Sequence, residues 1–378
     1  MKIALVADRF DPLVGGREQW TVGFAAHLLG RGHDVHVVAF GEANHALPIR
    51  SHILPHARRM LERARNVASS IATLRADVVH DSGTSWSGHV FHPHTGSRRL
   101  SEASLRDAQS GLRRVRSMIS PRGWRYRWHL ARLEQMQARN ARRIVALSHR
   151  LCGLLAEHHG VPPERLIVIP NGVDTRRFSP TRLAGLRQPA RRMLGLGDGT
   201  VFLAAAHNLQ LKGVDSAIRA LAVLRQEGVD AKLVVAGGVA DAFWTGLAAQ
   251  LGVGDRVQFL GPVTDMAPLF AAADAVVHPT RWDACSLVTI EGLAAGLPVI
   301  TTAMNGASEL ITDGRSGFVL PDPEDVPALA ASMRQLLDPG RRRCIGIAAR
   351  EMAVHHDSRD NFRAVEELLL EVAGECRQ

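Results

Sequence analysis

The chain has 378 residues, of which 46% are hydrophobic and 22% are charged. At about 150 residues per domain this length predicts two medium domains, and the composition excludes a small binding module and a disordered or collagen-like chain. The net charge of +9 comes almost entirely from arginine, because only three of the 46 basic residues are lysines. An excess of this kind indicates anionic partners.

The N-terminal run MKIALVAD is predicted to be a buried strand, because it lacks the cationic start and the longer apolar region of a signal peptide. The chain has no uninterrupted run of about 18 apolar residues, so no segment is predicted to span a bilayer. The four cysteines are far apart and form no CxxC pair: Cys152, Cys285, Cys344 and Cys376. This spacing argues against a zinc ribbon, a redox motif or a disulfide framework and is typical of a reducing cytoplasm.

Short apolar runs alternate with helix-length amphipathic segments in both halves, which is the pattern of repeated βαβ units. The predicted strands cover residues 2–7, 35–40, 78–80, 90–92, 144–147, 167–169, 201–206, 231–236, 257–260, 275–278 and 299–301. The predicted helices include 19–31, 57–75, 124–142 and 215–227. We therefore expect an α/β protein with two doubly wound sheets.

The domain boundary is predicted near Pro170, where a strand runs into Pro170-Asn171-Gly172 and then into an irregular Arg- and Pro-rich stretch that extends to about Arg192. The expected domains are 1–170 and 171–350, with a C-terminal helix in 351–378 that packs back on the first domain. A hinge at this point leaves a cleft between the domains. Because ligands of open parallel sheets bind beyond the carboxyl ends of the strands, we expect the site in that cleft.

A strongly basic stretch runs from Arg98 to Arg143. It holds 13 arginines against three acids, together with Met118, Trp124, Tyr126 and Trp128. Arginine beside interfacial aromatic residues suits an anionic membrane surface or a phosphorylated acceptor. A solvated helical face is the alternative interpretation.

Two short signals point to phosphate binding. Gly15 and Gly16 lie in a strand-to-helix loop, where a bare backbone and the amides of a helix N-terminus can approach a phosphate, although a plain glycine turn is an equal alternative. Lys212 precedes Gly213 at the carboxyl end of a predicted strand. Because lysine is so rare in this chain, we predict that Lys212 contacts phosphate.

The most informative segment is a strand followed by a loop and then by a helix that starts near Ser286. Asp283 lies on the loop and Glu291 lies early in the helix, so both acids can face one pocket. Between them, the amides of Leu287 and Val288 form an anion site at the helix N-terminus. This arrangement suits a nucleotide sugar, with carboxylates for hydroxyl groups and amides for the diphosphate. The alternative is that both acids are ordinary surface charges.

Several motifs occur in a specific order along nearly the whole chain. They are Gly15-Gly16-x-Glu18, Pro170-Asn171-Gly172-Val173-Asp174 with Phe178 and Pro180, Lys212-Gly213, Leu260-Gly261, Ala273-Asp274, and Asp283-x7-Glu291 followed by Ala295-Gly296-Leu297-Pro298-Val299. Together they resemble the retaining GT-B fold glycosyltransferases of family 4, and among these the chain looks most like the lipopolysaccharide core glucosyltransferases. The resemblance implies two Rossmann-like domains facing across a cleft.

The resemblance also implies roles for individual residues of the second domain. Glu291 would hold the ribose hydroxyls, and Asp283 would hold hydroxyls of the donor sugar. The diphosphate would be held by Lys212 and by the helix start at Ser286, Leu287 and Val288.

For the first domain, the resemblance implies that Gly15 and Gly16 approach the diphosphate. It also implies that His94 lies near the reacting sugar, and His92 is close enough in sequence to exchange with it. Glu18 and Asn171 are further candidates because they belong to the matching motifs.

Two positions depart from the family pattern. Asp283 stands where the first acid of the motif is usually Glu, and Gln210 stands in the run before Lys212, where the arginine that usually accompanies the lysine is missing. Neutralisation of the diphosphate would then depend on Lys212 or on another arginine, such as Arg17 or Arg281.

The expected function is retaining transfer of a hexose from a nucleoside diphosphate sugar, with UDP-glucose favoured, to a glycan or lipid-linked acceptor in cell-surface polysaccharide or lipopolysaccharide synthesis. The chain contains no Asp-x-Asp pair, so we expect no metal and no other cofactor. The expected location is cytoplasmic, with peripheral contact to the inner membrane. Alternatives are a nucleotide-sugar epimerase of the same fold, an inactive relative, and a nucleic-acid-binding protein, although we expect no nucleic-acid partner.

Overall fold

A computed structural model describes residues 1–41, 46–108 and 119–377. The chain divides into two compact units, one formed by Met1–Pro170 with Arg359–Gln378 and the other by Asn171–Ser358. Each unit contains one parallel sheet with helices, so the predicted pair of doubly wound α/β domains is confirmed.

The first sheet has the strand order β3-β2-β1-β4-β5-β6-β7 within the described part of the chain. Its strands are β1 (Lys2–Val6), β2 (Asp34–Phe40), β3 (Arg50–Leu54), β4 (Val78–Asp81), β5 (Val90–Phe91), β6 (Arg143–Ala146) and β7 (Leu166–Val168). All pairs are parallel, and Ile3 of β1 lies between Val35 and Val78. Almost every residue of β1 and β2 is buried, as expected for strands that helices cover on both faces.

The helices of the first unit are Gly16–Gly30, Met60–Leu74, Arg98–Asp107, Pro121–Asn140, His149–His159 and Ser358–Arg377, with a short 3₁₀ helix at Pro163–Arg165. Trp20, Phe24 and Leu28 of the first of these helices pack into one core with Val365 and Leu369 of the last. The predicted C-terminal helix of 351–378 therefore begins only at Ser358. The residues before it stay with the second unit, where Val173 pairs with His356 and Ser358 through backbone hydrogen bonds.

The second sheet has the order β10-β9-β8-β11-β12-β13. Its strands are β8 (Thr200–Ala206), β9 (Ala231–Gly237), β10 (Val257–Gly261), β11 (Ala275–His278), β12 (Val299–Thr302) and β13 (Phe318–Leu320). The helices are Pro180–Met193, Val214–Gln226, Ala242–Gln250, Ala267–Ala272, Leu287–Ala294, Val326–Gln335 and Pro339–Ala353, with a 3₁₀ helix at Gly306–Leu310. Here too all strand pairs are parallel.

The prediction of an irregular stretch up to Arg192 is wrong for its second half, which forms the helix Pro180–Met193. Ser179 caps this helix, Pro180 occupies its first turn where no amide donor is needed, and Leu183 and Ala190 are buried. Two strands were missed in the sequence. β3 has an exposed, polar pattern, and β13 has only three residues, so neither forms a long apolar run.

The order of strands reverses between β1 and β4 in the first sheet and between β8 and β11 in the second. Such reversals create crevices at the carboxyl ends of parallel strands, which is where ligands of this kind of sheet bind. The candidate residues identified in the sequence follow these strands. Among the helices that the structure describes, none has the length and apolar character needed to cross a membrane.

Candidate functional site

Lys212 lies in the loop that follows β8, and this loop is held against the loop that follows β11. Gly213 has φ of +69°, and a Cβ at this position would lie 2.0 Å from the carbonyl oxygen of Pro279. The amide of Arg281 donates to the carbonyl oxygen of Leu211 at 2.8 Å. The close approach of the two loops therefore requires glycine beside Lys212. It also fixes the position of the Lys212 backbone.

The Lys212 ammonium and the Asp283 carboxylate are direct partners. The distance from Lys212 Nζ to Asp283 Oδ2 is 2.6 Å, and Nζ also donates to the carbonyl oxygen of Trp282 at 3.1 Å. Burial opposes ionisation of Asp283, but the charge of Lys212 and the nearby His278 outweigh it and hold the pKa of this carboxyl below its ordinary range. An ammonium has three N–H donors, so Lys212 keeps one for a further acceptor.

The helix Leu287–Ala294 begins at a rigidly built turn. The Ser286 hydroxyl accepts from the Thr289 amide at 3.3 Å, and the Ser286 amide donates to Asn305 Oδ1 at 3.1 Å. The fully buried Asn305 in turn donates to the hydroxyls of Thr289 and Thr301. Sequence reasoning missed Asn305, although it precedes a glycine in a loop after a predicted strand.

The first two amides of this helix, those of Leu287 and Val288, have no hydrogen-bond acceptor among the described residues. Helix geometry leaves such N-terminal amides free for capping groups or ligands. Glu291 lies one turn further on, on the same side of the helix as Leu287, and its carboxylate has no hydrogen-bond partner in the described chain. Burial raises the pKa of Glu291 to about 7, against the opposing charge of Arg177.

Arg281 has a structural role in this unit that argues against a diphosphate contact. Its guanidinium binds Asp215 through two hydrogen bonds of 2.9 and 2.8 Å and binds Glu324 at 2.6 Å. It also donates to the carbonyl oxygen of Gln210. Only 6% of this arginine is exposed, and its contact with Gln210 stabilises the loop that carries Lys212.

Asn171 supports the same helix start from the beginning of the unit. Its side-chain amide donates to the carbonyl oxygen of Cys285 at 2.7 Å, and the residue is buried. Asn171 thus holds the residue before the Ser286 cap, which gives this sequence candidate a positioning role.

In the first unit, Gly15 is the N-cap of the helix Gly16–Gly30, so the first amides of this helix also point out of its N-terminus. Arg17 lies in that first turn and pairs with Glu18, with 2.9 Å between Arg17 Nε and Glu18 Oε1. Glu18 is buried. The structure therefore places these four candidates together after β1, with the charge of Arg17 partly neutralised by its neighbour.

The structure distinguishes the two candidate histidines that follow β5. His92 is fully buried, with its Nδ1 3.1 Å from Nε2 of His80, whereas His94 keeps partial exposure. The His94 ring lies 4.0 Å from the His92 ring and 4.4 Å from the ring of Trp20, measured between centroids. Burial, together with the nearby His80 and Arg17, lowers the pKa of His94 well below its ordinary value, so its imidazole is neutral near pH 7.

Trp20 was not singled out in the sequence, yet it organises this histidine cluster. Its indole N–H donates to Asn361 Oδ1 at 2.7 Å, and Asn361 donates to the carbonyl oxygen of Pro170 at 2.6 Å. The C-terminal helix thereby fixes the ring against which His94 packs. Only a sequence signal linking positions 341 residues apart could have revealed this contact.

The basic stretch is described only in part, since its residues 109–118, including Met118, lie outside the described residues. Its helices Arg98–Asp107 and Pro121–Asn140 leave Trp124, Tyr126 and Trp128 exposed. No group of three or more His, Cys, Asp or Glu side chains within residues 1–41, 46–108 and 119–377 is arranged to hold a metal ion.

Two family models match the chain and together cover most of it. The model for Glycosyltransferase Family 4 matches residues 14–177, and the model for Glycosyl transferases group 1 matches residues 198–339. The first therefore covers most of the first unit, and the second covers the loops and helix that carry Lys212, Asp283 and Glu291.

Curated relatives share these regions. The D-inositol 3-phosphate glycosyltransferase of Salinispora tropica is 36% identical over 262 residues, which are 64% of this chain and 53% of the relative. The chain thus spans about half the length of this relative. The GDP-mannose-dependent alpha-(1-6)-phosphatidylinositol monomannoside mannosyltransferase of Mycolicibacterium smegmatis is 29% identical over 371 residues, or 93% of each chain.

Among solved structures, the chain is similar to WaaG, a glycosyltransferase involved in lipopolysaccharide biosynthesis. The TM-score is 0.80 at 23% sequence identity, over 97% of this chain and 99% of the other. This likeness shows that the two chains share the same fold.

Proposed function

We propose that this chain, which belongs to the GT-B fold glycosyltransferases of family 4, transfers a hexose from a nucleoside diphosphate sugar to a hydroxyl group of a glycan or lipid-linked acceptor. One observation carries the proposal: the carboxyl edge of the second sheet brings together Lys212, two amides without acceptors and the unpartnered carboxylate of Glu291. An ammonium and helix amides match a diphosphate, and a carboxylate matches the hydroxyls of a ribose.

UDP-glucose is the proposed donor. The name of WaaG among curated relatives is lipopolysaccharide glucosyltransferase, which supports glucose, whereas the name of the mycobacterial relative supports GDP-mannose as the donor to test against it. The proposed product belongs to a cell-surface polysaccharide or lipopolysaccharide. The short Asp283 carboxylate, held by Lys212, is the group we propose for selecting among donor sugars.

The proposed reaction retains the anomeric configuration. The bond between the anomeric carbon and the diphosphate breaks, the acceptor oxygen forms its bond to that carbon on the same face, and the acceptor proton passes to the departing phosphate oxygen. Negative charge grows on the diphosphate during this step. The third N–H of Lys212 and the amides of Leu287 and Val288 are pre-positioned to stabilise that charge without a reorganisation cost.

Metal-independent transfer is part of the proposal. Lys212 and the N-terminus of the helix Leu287–Ala294 supply positive charge where a divalent cation would otherwise neutralise a diphosphate. Transfer that continues at an unchanged rate in excess EDTA supports this part. Loss of transfer in EDTA with recovery on adding Mg²⁺ or Mn²⁺ would refute it.

Thermal unfolding of the full chain with UDP, GDP, ADP and their hexose conjugates tests the donor site. A ligand at 100 times its dissociation constant adds about 2.7 kcal/mol to the folded state, which is readily measured. We expect UDP and UDP-glucose to raise Tm, and Glu291→Ala and Lys212→Ala to remove the effect. Glu351→Ala, an exposed acid on the helix Pro339–Ala353, is the matched control and should keep it.

Product analysis then separates transfer from its alternatives. Incubation of the responding donor with candidate acceptors should give a glycosylated product with the anomeric configuration of the donor, measured by NMR. Conversion of the donor into an epimeric nucleotide sugar without any acceptor would identify an epimerase instead. An absence of nucleotide binding at any concentration would refute the proposed function.

Peripheral membrane contact is a further part of the proposal. The segment at the start of the helix Pro121–Asn140 exposes Ile119 and Trp124 beside Arg122 and Arg125, which combines apolar anchors with positive charge. Flotation with phosphatidylglycerol vesicles at low salt tests it. Co-flotation that is lost at high salt supports the proposal, and protein that stays in the soluble fraction refutes it.

A further inference from the structure

A concave groove lies in the first unit between the helices Arg98–Asp107, Pro121–Asn140 and His149–His159. It consists of two cavities of about 430 and 570 Å³ that share Arg99, Trp128 and His159 among their lining residues. We call it the basic groove, and its defining residues are Arg99, Arg106, Trp124, Arg127, Trp128 and Arg132. Its size is within the range of pockets that hold a small ligand.

The lining of the basic groove is strongly positive. Four arginines and one acid, Glu102, line it among the described residues. The guanidinium groups of Arg99, Arg106 and Arg132 form no ion pair with an acid in the described part of the chain. The buried acid Glu134 accepts hydrogen bonds from the Ser97 hydroxyl and from the amides of Arg98 and Arg99, and it lies 3.5 Å from Nε2 of His159. Arg99, Arg106 and Arg132 therefore present positive charge to the groove that no ion pair within the described residues neutralises.

The same groove exposes two indole rings. Trp124 and Trp128 are 67% and 54% exposed and lie four residues apart on one face of their helix. Leu100, Ala103 and Ala131 add apolar surface between the arginines. Flat aromatic faces suit the apolar face of a sugar ring, and guanidinium groups bind phosphate through paired N–H donors. A phosphorylated sugar combines both features in one molecule.

The basic groove adjoins the loop that carries His94. The helix Arg98–Asp107 starts at its cap Ser97, three residues after His94, and Ser97 lines the groove. Leu130 lines the groove on one side and, on the other, a small cavity beneath Pro93 and Thr95. A ligand in the groove therefore lies next to the loop that we assign to the reacting sugar.

We propose that the basic groove binds a phosphorylated saccharide and that this saccharide is the phosphate-bearing part of the acceptor. Its role as acceptor rests on the proposed function, whereas its binding does not. The recess, hundreds of cubic ångströms in volume, can enclose a discrete ligand, whereas a flat bilayer surface contacts only its rim. Arginines on two helices line the groove and supply donors for the phosphate, and the indole rings orient the sugar.

Titration of the full chain with glucose 6-phosphate, glucose and inorganic phosphate tests the inference, with tryptophan fluorescence and isothermal calorimetry as readouts. We expect saturable binding of glucose 6-phosphate with a change in fluorescence, and binding of glucose or phosphate alone that is weaker by about tenfold or more. Trp128→Phe should reduce the fluorescence change. No saturable binding up to roughly 10 mM glucose 6-phosphate would overturn the proposal.

The variant Arg99→Gln/Arg106→Gln removes two of the phosphate donors. We expect its affinity for glucose 6-phosphate to fall by about tenfold or more. Arg65→Gln, an exposed arginine on the helix Met60–Leu74, is the control and should leave that affinity unchanged. Equal affinity in both variants would place the ligand elsewhere and overturn the assignment. Binding of phosphatidylglycerol vesicles but not of glucose 6-phosphate would likewise overturn it in favour of a membrane surface.

A parallel measurement of the UDP-induced rise in Tm separates this inference from the proposed function. The Arg99→Gln/Arg106→Gln variant should keep the full UDP response, because the donor residues lie in the other unit. A wild-type chain that shows the UDP response but no saturable binding of glucose 6-phosphate contradicts the groove proposal alone. Glucose 6-phosphate binding without any UDP response in the wild-type chain contradicts the donor proposal alone.

Discussion

Replacing Glu291 by glutamine should stabilise the ligand-free protein while weakening its binding of nucleotide. The Glu291 carboxylate lies one turn into the helix Leu287–Ala294 without a hydrogen-bond partner in the described residues, and burial raises its pKa from 4.5 to about 7. Such a site disfavours the charged form of the acid. Glutamine has nearly the same shape and no charge, so it removes this cost.

The size and sign of the effect follow from the pKa. Below about pH 4.5 Glu291 is protonated in both the folded and the unfolded chain and makes no difference to stability. As pH rises toward 7 the unfolded chain ionises first, so the free energy of unfolding falls and the full cost is present above pH 7. The difference between 4.5 and about 7 corresponds to about 3 kcal/mol, and partial exposure reduces the expected gain to about 1–2 kcal/mol.

Thermal unfolding between pH 5 and pH 8.5 measures this gain. At about 2–4 °C per kcal/mol for a domain of this size, Glu291→Gln should raise Tm by about 2–8 °C at pH 8 and by much less at pH 5. The UDP-induced shift should shrink in the same variant. Glu351→Gln, at an exposed position, should show neither effect. A gain that does not change with pH, or a loss of stability at pH 8, would refute the assignment of an unpartnered buried carboxylate.

Three further substitutions test the loops around Lys212. Lys212→Met removes the partner of Asp283 and should lower the free energy of unfolding by about 2 kcal/mol, measured in urea, together with loss of the UDP response. Arg281→Gln should lower the free energy of unfolding by about 2–3 kcal/mol, because the guanidinium binds two acids and a carbonyl oxygen. The affinity for UDP should stay within about twofold, and a tenfold loss would contradict the structural role of Arg281. Gly213→Ala should lower the free energy of unfolding by more than about 3 kcal/mol, because the new methyl group would collide with Pro279. The control Gly195→Ala also lies at positive φ but in open space, and it should lower this free energy by about 1 kcal/mol. Equal losses would refute the close approach of the two loops.

The sequence by itself determined the architecture and the sheet edges that carry the candidate site. Alternating apolar and amphipathic segments depend on local periodicity, so the described strands other than β3 and β13 were predicted to within a few residues, as were the helices at 19–31, 57–75, 124–142 and 215–227. Because parallel strands present their carboxyl ends at one edge, positions after β8 and β11 were enough to bring Lys212 and Asp283 to the same place.

Only the tertiary structure decided what each side chain contacts. Lys212 and Asp283 are 71 residues apart, and their pairing depends on how two loops pack at the sheet edge. The same packing occupies Arg281 with Asp215 and Glu324, which no local pattern encodes. A hydrogen bond between distant loops is set by their relative position, and sequence spacing carries no measure of that position.

The histidines and the basic stretch show the same division. Sequence spacing treated His92 and His94 as exchangeable, but strand β5 directs His92 into the core beside His80 and leaves His94 partly exposed. The basic stretch was recognisable from its arginines alone. Its concave groove exists only because three helices pack around it, and a concave surface lined by arginines selects a ligand that a count of charges cannot identify.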